Sequence, residues 1–206
     1  LGMEAGSLNA FTELTPLKQL LWSRALDGVE QRITELVLEQ QKATIGWTAP
    51  PQILGRYGQH DDVRSAVAVT GFGALTLEEA AYFKSLTDSS GEPLDGNKSY
   101  QMVIPASGIP TEAFWSLSMY EVDFDSRLHF YENELNRYAI NSHSEDLVRR
   151  EDGSIVLALQ PKRPKDPNVV WMPTPKGSLN CVFRTYLPGT SIREGRWSPP
   201  PIVRVG

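Results

Sequence analysis

From Asp88 onward the chain is cut into short segments by turn clusters, chiefly Asp88-Ser89-Ser90-Gly91, Asp95-Gly96 and Asp152-Gly153. Asp and Ser oxygens bond back to nearby amides, and Gly accepts the positive φ of a tight turn. The segments between them carry strand character. Residues 100–105 alternate. Residues 113–120 place Phe114, Ser116, Ser118 and Tyr120 on one face and Trp115, Leu117 and Met119 on the other. Residues 136–140, 154–160 and 179–187 complete the set, and 161–168 form a charged, proline-rich loop. Many short strands separated by turns favour two packed sheets. The expectation is a mainly β chain (α+β) with a jelly-roll-like antiparallel β-sandwich over 85–206.

Residues 1–84 read as a helical segment packed on that domain. Thr15-Pro16 is a helix start, with Thr at the cap and Pro at the first helical position. Leu26, Val29, Ile33 and Leu36 then recur at spacings of three and four, one helical face running to about Lys42. Gly46-Trp47-Thr48-Ala49-Pro50-Pro51 breaks the helix, and Gly55-Arg56-Tyr57-Gly58 is a second loop. Asp61-Asp62 opens a short helix through Val63, Ala66, Val67 and Thr70. Thr76-Leu77-Glu78-Glu79 has the form of a capping box, which predicts a further short helix ending near Tyr82 or Phe83.

Composition narrows the function classes. The net charge of −5 argues against a general binder of nucleic acid or anionic membranes, which need positive potential. Hydrophobic residues at 40% are those of an ordinary globular chain rather than a disordered one. No stretch approaches the roughly 20 apolar residues of a membrane span. No signal peptide is evident, and the first residue is Leu1; the expectation is a soluble protein of cytoplasm or periplasm. The single cysteine, Cys181, forms no disulfide within the chain and reads as a small buried apolar residue.

Chemical motifs are sparse. His60, His129 and His143 stand far apart, with no metal-ligand spacing, and no metal or cofactor is expected. Gly71-Phe72-Gly73 lacks the third glycine and preceding strand of a dinucleotide loop. Asp61-Asp62, Asp123-Asp125 and Glu132-Glu134 are paired carboxylates; solvated turns are the ordinary reading, with a calcium loop at Asp123 and Asp125 the sharper one. The five tryptophans suit core packing first and sugar stacking second. Asn136-Arg137-Tyr138 sets an amide, a fixed cation and a phenol side by side. Arg137 could clamp a carboxylate or satisfy loop carbonyls. In an extended segment Asn136 and Tyr138 would share a face that Arg137 does not.

Several unusual segments occur in order: Gly46-Trp47-Thr48-Ala49-Pro50-Pro51, Gly55-Arg56-Tyr57-Gly58, 88–96, 113–120, Asn136-Arg137-Tyr138, Asp152-Gly153-Ser154, 171–177 and 195–201. Together they resemble the bacterial domain-of-unknown-function family 1214, from about Leu20 to the end. The resemblance implies a jelly-roll-like β domain behind a helical segment, and no established activity. It also implies that many relatives carry a second β domain, of family 1254, ahead of this unit, and that short relatives carry an anchor or signal; this sequence shows neither. Glu134-Leu135 replaces the Asn-Pro usual before the Asn-Arg-Tyr motif. Val170 and Met172 replace an Asn and a Leu around Trp171. Within the shared motifs, Gly96, Gly153 and Gly177 fit turns of positive φ, and Trp197 fits a clamp on the proline tail.

The functional expectation is a non-enzymatic β-sandwich module that binds a small polar or carbohydrate-like ligand, or a partner domain. Asp95, Asn136, Arg137 and Tyr138 are its candidate ligand-binding residues. A hydrolase or lyase with a dispersed, metal-assisted site is the alternative. A homo-oligomer built on the apolar face of the first long helix is a third reading.

Overall fold

Thr15 and Pro16 start α1, Pro16–Lys42. Gln19 secures its entry, donating from its amide nitrogen to the carbonyls of Phe11 and Leu14 at 3.2 and 3.1 Å. The structure, a computed structural model, describes residues 10–42, 45–124 and 127–206, with backbone alone at 38–42. Leu1 and Asp125, singled out above, lie outside the described residues. α1 packs on α2, Asp61–Thr70. His60 takes the N-cap of α2. Asp61 and Asp62 instead occupy its first turn, where carboxylates face the positive end of the helix dipole.

The β half consists of two sheets. One runs in the order β1 (Ala80–Ser85), β8 (Leu179–Pro188), β3 (Thr111–Val122), β4 (Leu128–His129), with β5 (Ala139–Asn141) also on β3. The other runs β7 (Val170–Pro173), β6 (Ile155–Gln160), β2 (Tyr100–Ile104), β9 (Val203–Arg204). A one-turn helix, α3 (Thr190–Arg193), follows β8. Every pairing is antiparallel except β6 with β7, which is parallel; the expected all-antiparallel arrangement is corrected there. The chain is thus mostly β, with an N-terminal helix.

One core joins the two sheets. Phe83, Leu117, Met119, Cys181 and Phe183 from the first meet Tyr100, Met102, Ile104, Leu157 and Met172 from the second. Strand alternation produces this directly, because residues two apart share a face. The expected split of β3 holds: Trp115, Leu117 and Met119 are buried in the core, while Phe114, Ser116, Ser118 and Tyr120 take the opposite face. Trp197 packs edge-on against Phe83 at 5.5 Å, and Trp47 Nε1 donates to the Pro200 carbonyl at 2.8 Å. Two indoles therefore hold the C-terminal proline run to the core.

Three local expectations are corrected. The segment after Thr76 makes one hydrogen-bonded turn, with the Glu79 and Ala80 amides donating to the Thr76 carbonyl, and then becomes β1 instead of a helix. Six residues of β1 pair with β8, from Ala80 with Tyr186 to Ser85 with Cys181, and this tertiary pairing overrides the local capping signal. The strand expected over 136–140 is confined to Ala139–Asn141. Asn136 has φ +49°, which breaks extension. Asn133 organises the loop instead, its Oδ1 accepting from the Arg137 amide and its Nδ2 donating to the Arg137 carbonyl, both at 3.0 Å. Finally, Gly153 and Gly177 have φ +82° and +81°, but Gly96 is required by close approach. A Cβ there would overlap the Pro175 carbonyl oxygen and lie 2.9 Å from its carbon.

Candidate functional site

The face of the first sheet turned away from the core is not simply solvated. Register places Tyr82 opposite Arg184 and Lys84 opposite Val182, with Ser118 opposite Val182 on the other side. Alternation puts Tyr82, Lys84, Val182, Arg184, Ser118 and Tyr120 on this one face. α2 lies over it, presenting Val63, Ala66, Val67 and Thr70, and Thr48 to Pro51 make a further wall. That wall is fixed by a two-bond bridge, Thr48 and Lys84 exchanging amide-to-carbonyl bonds at 2.7 and 3.1 Å. The enclosed space is a cleft of about 470 Å³, in the size range of small-molecule sites.

Two cations enter this cleft. Arg184 donates to Ser118 Oγ at 2.8 Å and to Tyr120 Oη at 3.0 Å, and its guanidinium carbon stands 6.0 Å from the Tyr120 ring centre. These partners are neutral, so they orient the guanidinium without cancelling its charge. Lys84 Nζ donates to the Thr70 carbonyl at the end of α2. Burial, helped by the Arg184 charge, lowers the Lys84 amine below the usual lysine range. Among the described residues no Asp or Glu lines the cleft, and neither cation forms an ion pair. The rim carries Phe72, 93% exposed, between Gly71 and Gly73. On the same sheet face, Asn180 is buried and its Oδ1 has no hydrogen-bond partner.

The four residues expected from the sequence lie elsewhere, and they do not form one cluster. Asp95 is a turn residue. Its Oδ1 accepts from the Asn97 amide at 3.0 Å and the Asn97 side chain at 2.9 Å, and these bonds, with Lys98 nearby, hold its carboxyl below the usual range. Asn136 is exposed. Arg137 donates to the Trp171 carbonyl at 2.6 Å and pairs with Asp146. It lines a second cavity, of about 460 Å³, together with Arg163, Lys165, Asp146 and Asp166, so both signs of charge are present. Neither Asp95, Asn136 nor Tyr138 lines that cavity. Tyr138 belongs instead to an aromatic ladder: its ring meets Phe130 at 4.9 Å, and Phe130 stacks on Tyr120 at 4.9 Å, beside Arg184.

The remaining candidates are placed as follows. Asp123 Oδ1 accepts from the Arg127 amide at 2.8 Å and Oδ2 lies 2.9 Å from His129 Nε2. Among the described residues no three His, Cys, Asp or Glu side chains gather closely enough to hold a metal ion. Cys181 is wholly buried and its thiol is pushed up to about 12. No described helix is long and apolar enough to cross a membrane.

Sequence reasoning passed over Lys84 and Arg184. The available signal was a cation inside a strand otherwise made of core residues, Phe83-Lys84-Ser85 and Phe183-Arg184-Thr185. Which face such a cation occupies, and that a helix covers that face, depends on pairing between segments about a hundred residues apart.

A family model described as Protein of unknown function (DUF1214) matches residues 79–190. The fold is similar to a crystal structure of a Vibrio parahaemolyticus protein, with TM-score 0.64, 26% identity, and coverage of 94% of this chain and 47% of that one. An uncharacterised protein from Burkholderia cenocepacia matches with TM-score 0.43 and 16% identity over 96% of this chain and 45% of its own. The chain thus spans about half the length of these solved structures. No curated protein matches it.

Proposed function

The chain belongs to the DUF1214 family, and from that premise we propose that it is a binding module for a small anionic ligand with a compact apolar body. The site is the cleft between α2 and the outer face of the first sheet. One observation carries the reading: Lys84 and Arg184 share this cleft, and among the described residues no carboxylate lines it. Burying two like charges without an opposing one is unfavourable. A ligand carboxylate would relieve that cost. Arg184 is pre-oriented by Ser118 and Tyr120 to give it a charge-assisted bond, and Val63, Val67 and Tyr82 would cover its apolar part. The sandwich carrying the site reads as jelly-roll-like, and the ligand falls within the small polar class expected from the sequence. A sugar is less well matched, since no acceptor carboxylate among the described residues lines the cleft.

The test is calorimetry and thermal unfolding with sodium propanoate, against sodium chloride at equal ionic strength. Saturable binding that Arg184→Gln weakens supports the reading. No binding, or binding unchanged in that variant, refutes it. The cavity beside Arg137 is the second candidate for the same ligand class, and Arg137→Ala in the same titration separates the two.

A reading as a homo-oligomer has its own observation. Leu17, Leu20, Leu21, Leu26 and Val29 of α1 are each about half exposed or more, an unpartnered apolar stripe. Sedimentation of the wild type and of Leu20→Glu/Leu26→Glu tests it; a monomer at micromolar concentration refutes it.

A further inference from the structure

A half-buried lysine is more than a charge. The ammonium of Lys84 has one neutral partner, the Thr70 carbonyl, and its side chain sits in a cleft roofed by apolar groups of α2. A second cation, Arg184, stands on the neighbouring strand. In the antiparallel register Lys84 faces Val182 and Arg184 faces Tyr82, so the two are diagonal neighbours on one face, a separation of about 7–8 Å between backbones. Gly71 and Gly73 flank Phe72 at the rim. A Cβ at Gly71 would lie 3.9 Å from Nζ, so glycine leaves the space beside the amine free of side chain.

We infer that the cleft takes small oxo acids, whose carboxylate pairs with Arg184 while the Lys84 amine condenses with the carbonyl to form an imine. This rests on the anion-binding reading above and names its ligand class. The geometry suits one molecule with two functional groups: a fixed cation at one end, an amine at the other, and apolar walls between them. A plain carboxylate would draw on both positive charges but leave the amine unreacted.

The step balances without a redox partner. The Nζ lone pair attacks the carbonyl carbon and the oxygen takes a proton, giving a carbinolamine. Its hydroxyl then leaves as water. A C=N bond replaces C=O, both hydrogens of the neutral amine depart in the water, and no electrons are exchanged. The nucleophile is the unprotonated amine, and desolvation beside another cation raises its share near neutral pH. Each unit by which a lysine is lowered multiplies that share about tenfold.

The experiment is reductive trapping. The whole chain is incubated with sodium pyruvate and cyanoborohydride at pH 7, and the adduct is located by peptide mass mapping. Wild type is expected to carry the reduced adduct on Lys84, at a yield about tenfold or more above any other lysine. Lys84→Arg and Lys84→Met are expected to lose it, thermal unfolding confirming that both remain folded. Arg184→Gln is expected to lower the yield by about tenfold, propanoate to compete, and acetone, which lacks the carboxylate, to label poorly. Label spread evenly over the lysines overturns the inference. So does acetone labelling Lys84 as well as pyruvate does. If Lys84 stays unlabelled while propanoate still binds, the imine falls and the anion site stands; if propanoate does not bind either, both fall.

Discussion

Replacing Lys84 with methionine separates a functional cation from a structural one, because the two roles give opposite signs. The folded chain holds this ammonium in a largely apolar cleft with the Thr70 carbonyl as its partner and Arg184 repelling it. Its amine is therefore lowered relative to the unfolded chain. The charged form is penalised on folding, fully so at pH below the lowered value. Between that value and the ordinary lysine range the unfolded chain binds more protons, so stability rises with pH across this window. Methionine keeps the stem and removes the charge. An apolar replacement for a poorly compensated buried charge is expected to stabilise by on the order of 1 kcal/mol. For a chain of this size that raises Tm by about 2–4 °C. Ligand binding should move the other way. A charge-assisted bond contributes about 1.5–3 kcal/mol, so carboxylate affinity should drop roughly 10- to 100-fold. Thermal unfolding from pH 7 up to the ordinary lysine range, with and without propanoate, reads both quantities. The wild type should gain stability from this group as pH rises from the lowered value toward the ordinary lysine range, and the variant should lack that gain. A variant that melts lower at pH 7 and binds propanoate as before would refute the reasoning, since Lys84 would then be holding α2 in place and nothing else.

Other outcomes follow from the same geometry. Gly96→Ala drives a Cβ into the Pro175 carbonyl at the turn where the Gly96 amide donates to Gly177 at 2.7 Å; a loss of about 3 kcal/mol or more is expected in urea unfolding, and a loss under about 1 kcal/mol would mean that the turn yields. Arg137→Ala leaves the Trp171 carbonyl and Asp146 without their cation and should cost about 1–3 kcal/mol, while propanoate affinity at the α2 cleft stays as it was; lost affinity would move the site to the second cavity. Acid should unfold the chain partly through Asp88. Burial pushes that carboxyl up, but bonds from the Ser90 hydroxyl and the Ser90 and Glu92 amides outweigh it and leave it lowered. The stabilisation is therefore complete above the usual Asp range and lost as pH falls through the lowered value, and Asp88→Asn should flatten the acid limb of a pH–Tm curve. Cys181, fully buried and pushed up to about 12, should react with a water-soluble thiol reagent at the rate of global unfolding; fast modification in native buffer would contradict its burial.

The strands that alternate cleanly were legible in the sequence. Residues 113–120 assigned their own faces, because Trp115, Leu117 and Met119 must go to one side together. The turn motifs Asp152-Gly153 and Asp95-Gly96 fell where the chain turns. What misled was local chemistry that a distant partner overrules. Thr76 to Glu79 satisfies a capping box, but a capping box contributes only a kcal/mol or so, whereas six residues of β1 gain a full ladder against β8. Asn136 illustrates the converse: an αL residue in a loop ordered by Asn133 has no periodicity to betray it.

The same asymmetry explains why the candidate site was overlooked while a less suited one was noticed. Asn136-Arg137-Tyr138 attracted attention because its polar groups are adjacent in sequence. Adjacency along an irregular loop sends side chains in different directions, and the three part company: one to solvent, one to Asp146 and the Trp171 carbonyl, one to an aromatic ladder. Lys84 and Arg184 are a hundred residues apart, each looks like an isolated interruption in a core strand, and only the β1–β8 register puts them on one face. Charge then decides between the cavities. Beside Arg137 three cations, Arg137, Arg163 and Lys165, stand with two carboxylates, Asp146 and Asp166, so the chain itself offsets most of the positive charge. Beneath α2 the described residues supply two cations and no anion. A fold under selection for stability alone would have placed an apolar side chain at 84. The amine at this position is the reason to look for the missing anion there first.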